Sequence, residues 1–354
     1  MRTKQAGGRS MVALTACLTA LLLGACAQDR QRLKVPGENN VKLARTATKK
    51  QQWPEAAGRW NELFLGGGAQ SREACRETAR ALWKIGQPDD AKAMLDTGLE
   101  RWPDDPELLA LQGDLLADLG FRRAAEMAYA RSLEIHSEQP ETWLALARVR
   151  LELGLEEGAR SACRRRLELA GACRETYIVL AEASAASGDF TCAFESYAQA
   201  FSLAPGSVHE LLAAGSLYQD PNVRSKLPGA AASSRVWLLQ ATELDPQNTG
   251  AHYLLGVIAE DASELDLAMR HYRRSAETDP AHLPSLLRLI ELHGRRGELS
   301  EAETIAAAAL KTFEKDSERR AAIKHTLERA RAEAQPVPPP ESRSGDPSAG
   351  SDVR

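Results

Sequence analysis

The chain has 354 residues, with 45 Lys and Arg against 49 Asp and Glu, for a formal net charge of −4. Hydrophobic residues make up 43% and aromatic ones only 5%. Leu and Ala far outnumber Val and Ile, which argues against a β-sandwich or barrel. A charged fraction of 27% speaks against a wholly disordered chain and against a nucleic-acid partner gripped by a large basic excess. The chain opens with a basic stretch, Arg2, Lys4 and Arg9, followed by an apolar run from Met11 to Leu23. That run is shorter than the ~20 residues needed to span a bilayer, and it suits the core of an export signal.

The run ends in Leu23-Gly24-Ala25-Cys26, which resembles the lipobox of bacterial lipoproteins. The resemblance implies cleavage before Cys26 and acylation of that cysteine; a plain secretory signal is the alternative. Ala27 stands where aspartate would signal retention in the inner membrane. The expected location is therefore the periplasmic face of the bacterial outer membrane, with the lipid as the membrane contact. Removal of residues 1–25 takes away Arg2, Lys4 and Arg9 and no acid, leaving −7. Such a charge repels anionic surfaces, so acyl chains rather than basic residues supply the anchor. Residues 26–37 read as a polar lipidated tether.

A repeat follows. Ala57, Ala91, Ala125, Ala159 and Ala193 are spaced by 34 residues; after a step of 41 to Ser234, Ala268 and Ala302 resume the period. Glycine stands five residues before most of these, at Gly86, Gly120, Gly154, Gly188, Gly229 and Gly297. Proline punctuates repeat ends at Pro103, Pro205, Pro246 and Pro280. On these markers the stretch 38–316 resembles the tetratricopeptide-repeat (TPR) family. The predicted fold is all-α, a TPR helix-turn-helix solenoid (right-handed superhelix) of about eight repeats.

The units are placed at 38–71, 72–105, 106–139, 140–173, 174–207, 208–248, 249–282 and 283–316. Apolar residues recur at helical spacing on both sides of each glycine, predicting two antiparallel helices, A and B, per unit. Glycine ends helix A in a left-handed turn, alanine lets helix B approach closely, and proline stops helix B. No unit buries its apolar face alone, so the units stack. In the first copy Gln52 occupies the glycine position. The polar stretch from Asp220 to Pro228 lengthens the connection in the sixth unit, as a binding feature or as a tolerated loop. Residues 317–334 are expected to form a capping helix, and 335–354, rich in Pro, Ser and Gly, a disordered tail.

Chemistry-bearing motifs are scarce. No phosphate loop, dinucleotide fingerprint, HExxH or GxSxG occurs, and no cofactor is expected. His252, His271 and His282 fall in or beside one repeat without metal-ligand spacing, so no metal site is expected. Cys75, Cys163, Cys173 and Cys192 read as small core residues, with disulfide pairing as the minority alternative.

In the family that the chain resembles, helix A lines a concave groove that clasps an extended peptide or a helix. Carrying its groove positions across gives Lys42, Lys49, Lys50, Arg76, Arg80, Trp83 and Lys84 at the first end. Asp114 and Asp118 follow, and then Leu144, Arg148, Ile178, Leu212, Tyr253, Val257 and Leu287 further on. The basic end would suit an acidic peptide or an anionic polysaccharide; a solvated helix face is the other reading. Thr46 and Arg80 stand where the family's carboxylate clamp needs asparagine, which disfavours a chaperone adaptor. The resemblance thus implies a non-enzymatic protein-binding scaffold that assists assembly of a pilus or secretion system. The alternatives are a polysaccharide-export scaffold and a regulator of an envelope hydrolase. An enzyme would need a catalytic domain for which the repeats leave no room.

Overall fold

A computed structural model describes residues 38–334. The described residues are α-helical apart from turns and one 3-10 segment. They fall into two compact units, one ending at Ala172 and the other beginning at Cys173. The first holds four helical hairpins. These are α1 (Glu38–Lys49) with α2 (Trp53–Gly66), α3 (Ser71–Lys84) with α4 (Pro88–Arg101), α5 (Pro106–Asp118) with α6 (Arg122–Ile135), and α7 (Pro140–Glu152) with α8 (Glu156–Ala170). Proline opens α4, α5 and α7, where its missing N–H has no partner to lose. Asp105 caps α5 by accepting from the backbone N–H groups of Glu107 and Leu108 at 3.1 and 3.0 Å.

The second unit holds α9 (Arg174–Ala186) with α10 (Phe190–Leu203) and α11 (Val208–Ser216) with α13 (Ala230–Leu244). Next come α14 (Thr249–Asp261) with α15 (Leu265–Thr278), α16 (Leu283–Arg295) with α17 (Leu299–Thr312), and a closing α18 (Ser317–Ala334). Ser207 and Glu210 form a reciprocal capping box on α11. The polar insertion is not a plain loop. It folds into the short helix α12 (Pro221–Lys226), capped by Asp220 and pinned by fully buried Val223. α18 lays Ile323 and Ala330 against α16 and α17. Its Ala330 approaches so closely that a Cβ on Gly294 would lie 2.7 Å from the Ala330 Cα.

The repeat markers act as their chemistry requires. Gly86, Gly120, Gly154, Gly188 and Gly297 turn from helix A to helix B with φ between +70° and +81°. Two hairpins make this turn without glycine, on Gln51 at φ +56° and Ser263 at φ +61°. The turn residue of the first hairpin is thus Gln51, one place before the expected Gln52. Ala91, Ala125, Ala159, Ala193, Ser234, Ala268 and Ala302 are wholly buried where the hairpin helices meet. Gly113 and Gly256 on helix A face tyrosine rings from helix B: a Cβ there would lie 2.6 Å from Tyr129 Cδ1 and 2.5 Å from Tyr272 Cε1.

Successive hairpins are also tied by buried hydroxyls. Ser132 donates to the Pro106 carbonyl at 2.6 Å and accepts from Gln139 Nε2 at 3.0 Å. The same arrangement returns in the second unit. Ser275 donates to the Thr249 carbonyl at 3.0 Å and accepts from Ser285 at 2.8 Å, with His282 Nδ1 2.8 Å from Ser285 Oγ. Cys75 and Cys163 are buried, Cys173 and Cys192 half-buried, and all four are free thiols. No described helix is long and apolar enough to cross a membrane. Cys26, the export signal, the tether and the tail lie outside the described residues.

Candidate functional site: the helix A face

In the first unit the helix A residues form a mosaic of charges rather than a bare basic strip. Lys42, Lys49 and Lys50 are exposed at α1 and its turn, and none makes an ion pair among the described residues. Arg45, beside them, forks onto Glu73 of the next hairpin at 2.9 and 2.8 Å. That hydrogen-bonded pairing holds the Glu73 carboxyl below the usual carboxylate range. Arg76 is engaged by Glu107 and Glu77, and Arg80 by Glu77 at 2.5 Å. These guanidiniums are therefore largely neutralised in place. With Ala110, Asp114 and Gln139, the trio Arg76, Arg80 and Glu107 lines a shallow pocket of about 260 Å³.

Half-buried Trp83 donates from Nε1 to Asp118 at 2.8 Å, and Lys84 Nζ lies 4.9 Å from its ring centre, a cation–π arrangement. Asp114 accepts a 2.7 Å hydrogen bond from Tyr129 of helix B. Desolvation raises the Asp114 carboxyl despite that bond and the nearby Arg80 and Lys84, and it raises the Tyr129 hydroxyl as well. Arg148 on α7 is exposed and makes no ion pair among the described residues. The cations here that can meet a partner without giving up a carboxylate are thus Lys42, Lys49, Lys50, Lys84 and Arg148.

In the second unit, Glu260 on α14 accepts from Tyr272 at 2.9 Å and from Arg295 at 3.2 Å. Glu291 on α16 pairs with Arg288 at 3.1 Å and with Arg329 of α18 at 3.5 Å. Tyr253 is half-buried, with its ring 5.2 Å from and steeply inclined to that of His282. Leu212 and Leu287 are also half-buried.

Three expected groove residues need correction. Leu144, Ile178 and Val257 are 6%, 8% and 5% exposed, packed into the core by neighbouring helices, so their side chains are not offered to a ligand. The expectation of an open basic end is likewise narrowed, because Arg76 and Arg80 already hold acids. Tyr129 and Tyr272 reach from helix B to the acids of helix A, Asp114 and Glu260, a contact that the repeat positions alone do not indicate. Its available signal was the glycine at 113 and at 256 facing a tyrosine sixteen residues later.

The same two-helix unit, recurring hairpin after hairpin among the described residues, defines a helical-repeat protein. The sequence profile described as the tetratricopeptide repeat matches residues 76–120 and 231–282. Those stretches and the recurring two-helix unit support a tetratricopeptide-repeat protein. No curated protein matches the chain. Among solved structures it is similar to a tetratricopeptide repeat protein from Parabacteroides merdae, at 13% identity over 68% of this chain and 93% of that one, with a TM-score of 0.47. It is similar also to YrrB, described as a TPR protein with an unusual peptide-binding site, at 16% identity, 56% and 98% coverage and a TM-score of 0.47. MamA from Desulfovibrio magneticus RS-1 shares 16% identity over 61% of this chain and 99% of its own, with a TM-score of 0.35.

Proposed function

We propose that this chain is a non-enzymatic scaffold that binds proteins along its helix A face. In this reading, acylated Cys26 holds it at the periplasmic face of the outer membrane, where it aids assembly of a pilus or secretion system. The supporting observation is the helix A face itself. It offers cations that make no ion pair among the described residues (Lys42, Lys49, Lys50, Lys84 and Arg148), Trp83 with Lys84 Nζ 4.9 Å from its ring centre, and carboxylates already held by arginine, tyrosine or tryptophan. An extended peptide or helix with interspersed acids and apolar side chains matches such a mosaic better than a uniformly anionic polysaccharide, which would meet Glu107, Asp114 and Asp118 alongside the cations. Aromatic and cationic anchors at such a face carry a large share of binding energy.

In-cell crosslinking followed by membrane pull-down, with the Cys26→Ala form alongside, tests the proposal. Co-purification of pilus or secretion components with the lipidated form alone supports it. Capture of an envelope hydrolase or synthase as the main partner would make the protein a regulator. Recovery of both forms in the soluble fraction with the same partners would overturn the anchor.

A further inference from the structure

One helix-interior glycine of the first unit has no packing reason to be there. At Gly98, Gly113, Gly215, Gly256 and Gly294 a Cβ would lie 2.5–2.6 Å from an atom of a neighbouring helix, so close approach requires glycine. Gly58, inside α2, has no such atom within 4 Å. After proline, glycine is the least favourable residue in a helix interior, and here no neighbour demands it. The missing side chain opens instead onto a cavity of about 620 Å³ between α2 and α4, within the ~300–1,000 Å³ typical of ligand pockets.

The floor of this cavity is apolar. Phe64 and Leu82 pack against the cores of both the first and the second hairpin, so the cavity lies over the seam between them. Met94 lines it from α4, and Leu65 lines it with 59% of its surface exposed. Asn61, Gln87 and Asp90 are its polar lining, and their side chains make no hydrogen bond or ion pair among the described residues. No cation lines the cavity, which leaves exposed Asp90 without a counter-charge. Along α2 the lining runs from Ala57 to Leu65, about 12 Å at 1.5 Å per residue, or about two turns of a partner helix. The walls are helices whose backbone groups are already bonded. An extended chain would find no ladder to join between them, whereas a helix brings its own backbone bonds.

We propose that this cavity is a docking site, separate from the helix A face, for an amphipathic helix of a partner protein. That helix buries bulky apolar side chains three or four residues apart over Gly58 and sets a Lys or Arg against Asp90. Panning a displayed random-peptide library against the full-length protein, followed by fluorescence anisotropy with the selected peptides, is the direct test. Enrichment of apolar residues at helical spacing beside a Lys or Arg is expected. Gly58→Leu fills the cavity and should raise the melting temperature while weakening the selected peptides at least about tenfold. Asp90→Asn should abolish the preference for Lys and Arg but keep the apolar spacing. Lys42→Glu combined with Lys49→Glu, on the helix A face, should leave these peptides unaffected. Selection of no peptide that Gly58→Leu weakens, or of acidic peptides that only the lysine changes weaken, would overturn the assignment. Native mass spectrometry tests the other occupants: a dimer or a retained apolar small molecule that Gly58→Leu abolishes would give the cavity to a second copy or to that molecule, and would equally overturn it.

Discussion

The hairpin turn at Ser263 gives a sharp test of how the repeat is built. Ser263 holds φ +61°, a left-handed conformation that costs an ordinary residue about 1–2 kcal/mol. Five other hairpins put glycine at this turn. Ser263→Gly relieves the strain while giving the unfolded chain about 0.4–1 kcal/mol more freedom. The net expectation is stabilisation of up to about 1.6 kcal/mol. The serine is exposed and its hydroxyl makes no hydrogen bond among the described residues, so no other loss offsets the gain. Gly297→Ala is the reverse experiment. At φ +73°, with no atom within 4 Å of the added Cβ, it adds backbone strain without a clash and should cost about 1 kcal/mol. Repeat arrays can unfold in segments, so amide exchange in α14 to α17 is the assay, supported by urea titration. Faster exchange after Ser263→Gly, or an unaltered rate after Gly297→Ala, would refute the reasoning.

Gly256→Ala places a Cβ 2.5 Å from the fully buried Tyr272 ring, and overpacking should cost about 1–3 kcal/mol in thermal melts; a cycle with Tyr272→Leu should show the coupling. Ser132→Ala leaves the Pro106 carbonyl and Gln139 without their shared hydroxyl, an expected loss of about 1–2 kcal/mol by denaturant titration. Because Arg45 depresses the Glu73 carboxyl, that pair contributes fully above the unfolded carboxylate range and is lost as pH falls through the lower folded value. Glu73→Gln should therefore flatten part of the acid limb of a stability-against-pH curve, and an unchanged limb would exclude the pair as a contributor.

Backbone punctuation was legible because glycine, proline and buried alanine have few substitutes at their positions. Ser263 and Gln51 escaped notice because neither residue advertises a left-handed turn. The helix at Pro221 hides in a polar stretch, where Asp220 before Pro221 is a cap-and-start signal and Val223 supplies an apolar anchor. The binding face was legible only in phase. Repeat register says which side of helix A a residue occupies, but not how deeply adjacent helices bury it, which is why Leu144, Ile178 and Val257 were misplaced. Charge pairing was harder still. Arg45 with Glu73 and Arg76 with Glu107 meet across about one repeat, a separation invisible to the three- and four-residue spacings that govern pairing within one helix.

The buried thiols of the first unit give each of their hairpins a clock. Cys75 sits under Gly98 with its Sγ 3.3 Å from the Met94 carbonyl, and burial, aided by Asp105, pushes the thiol up to about 11. Burial pushes Cys163 up to about 12 against the nearby Arg148. A closed hairpin therefore presents neither access nor thiolate to an alkylating reagent. Labelling of either sulfur must wait for its helices to part, so the two alkylation rates count opening events at the second and fourth hairpins separately, on the unmodified protein. A partner that clamps one hairpin would slow one of these clocks and leave the other running.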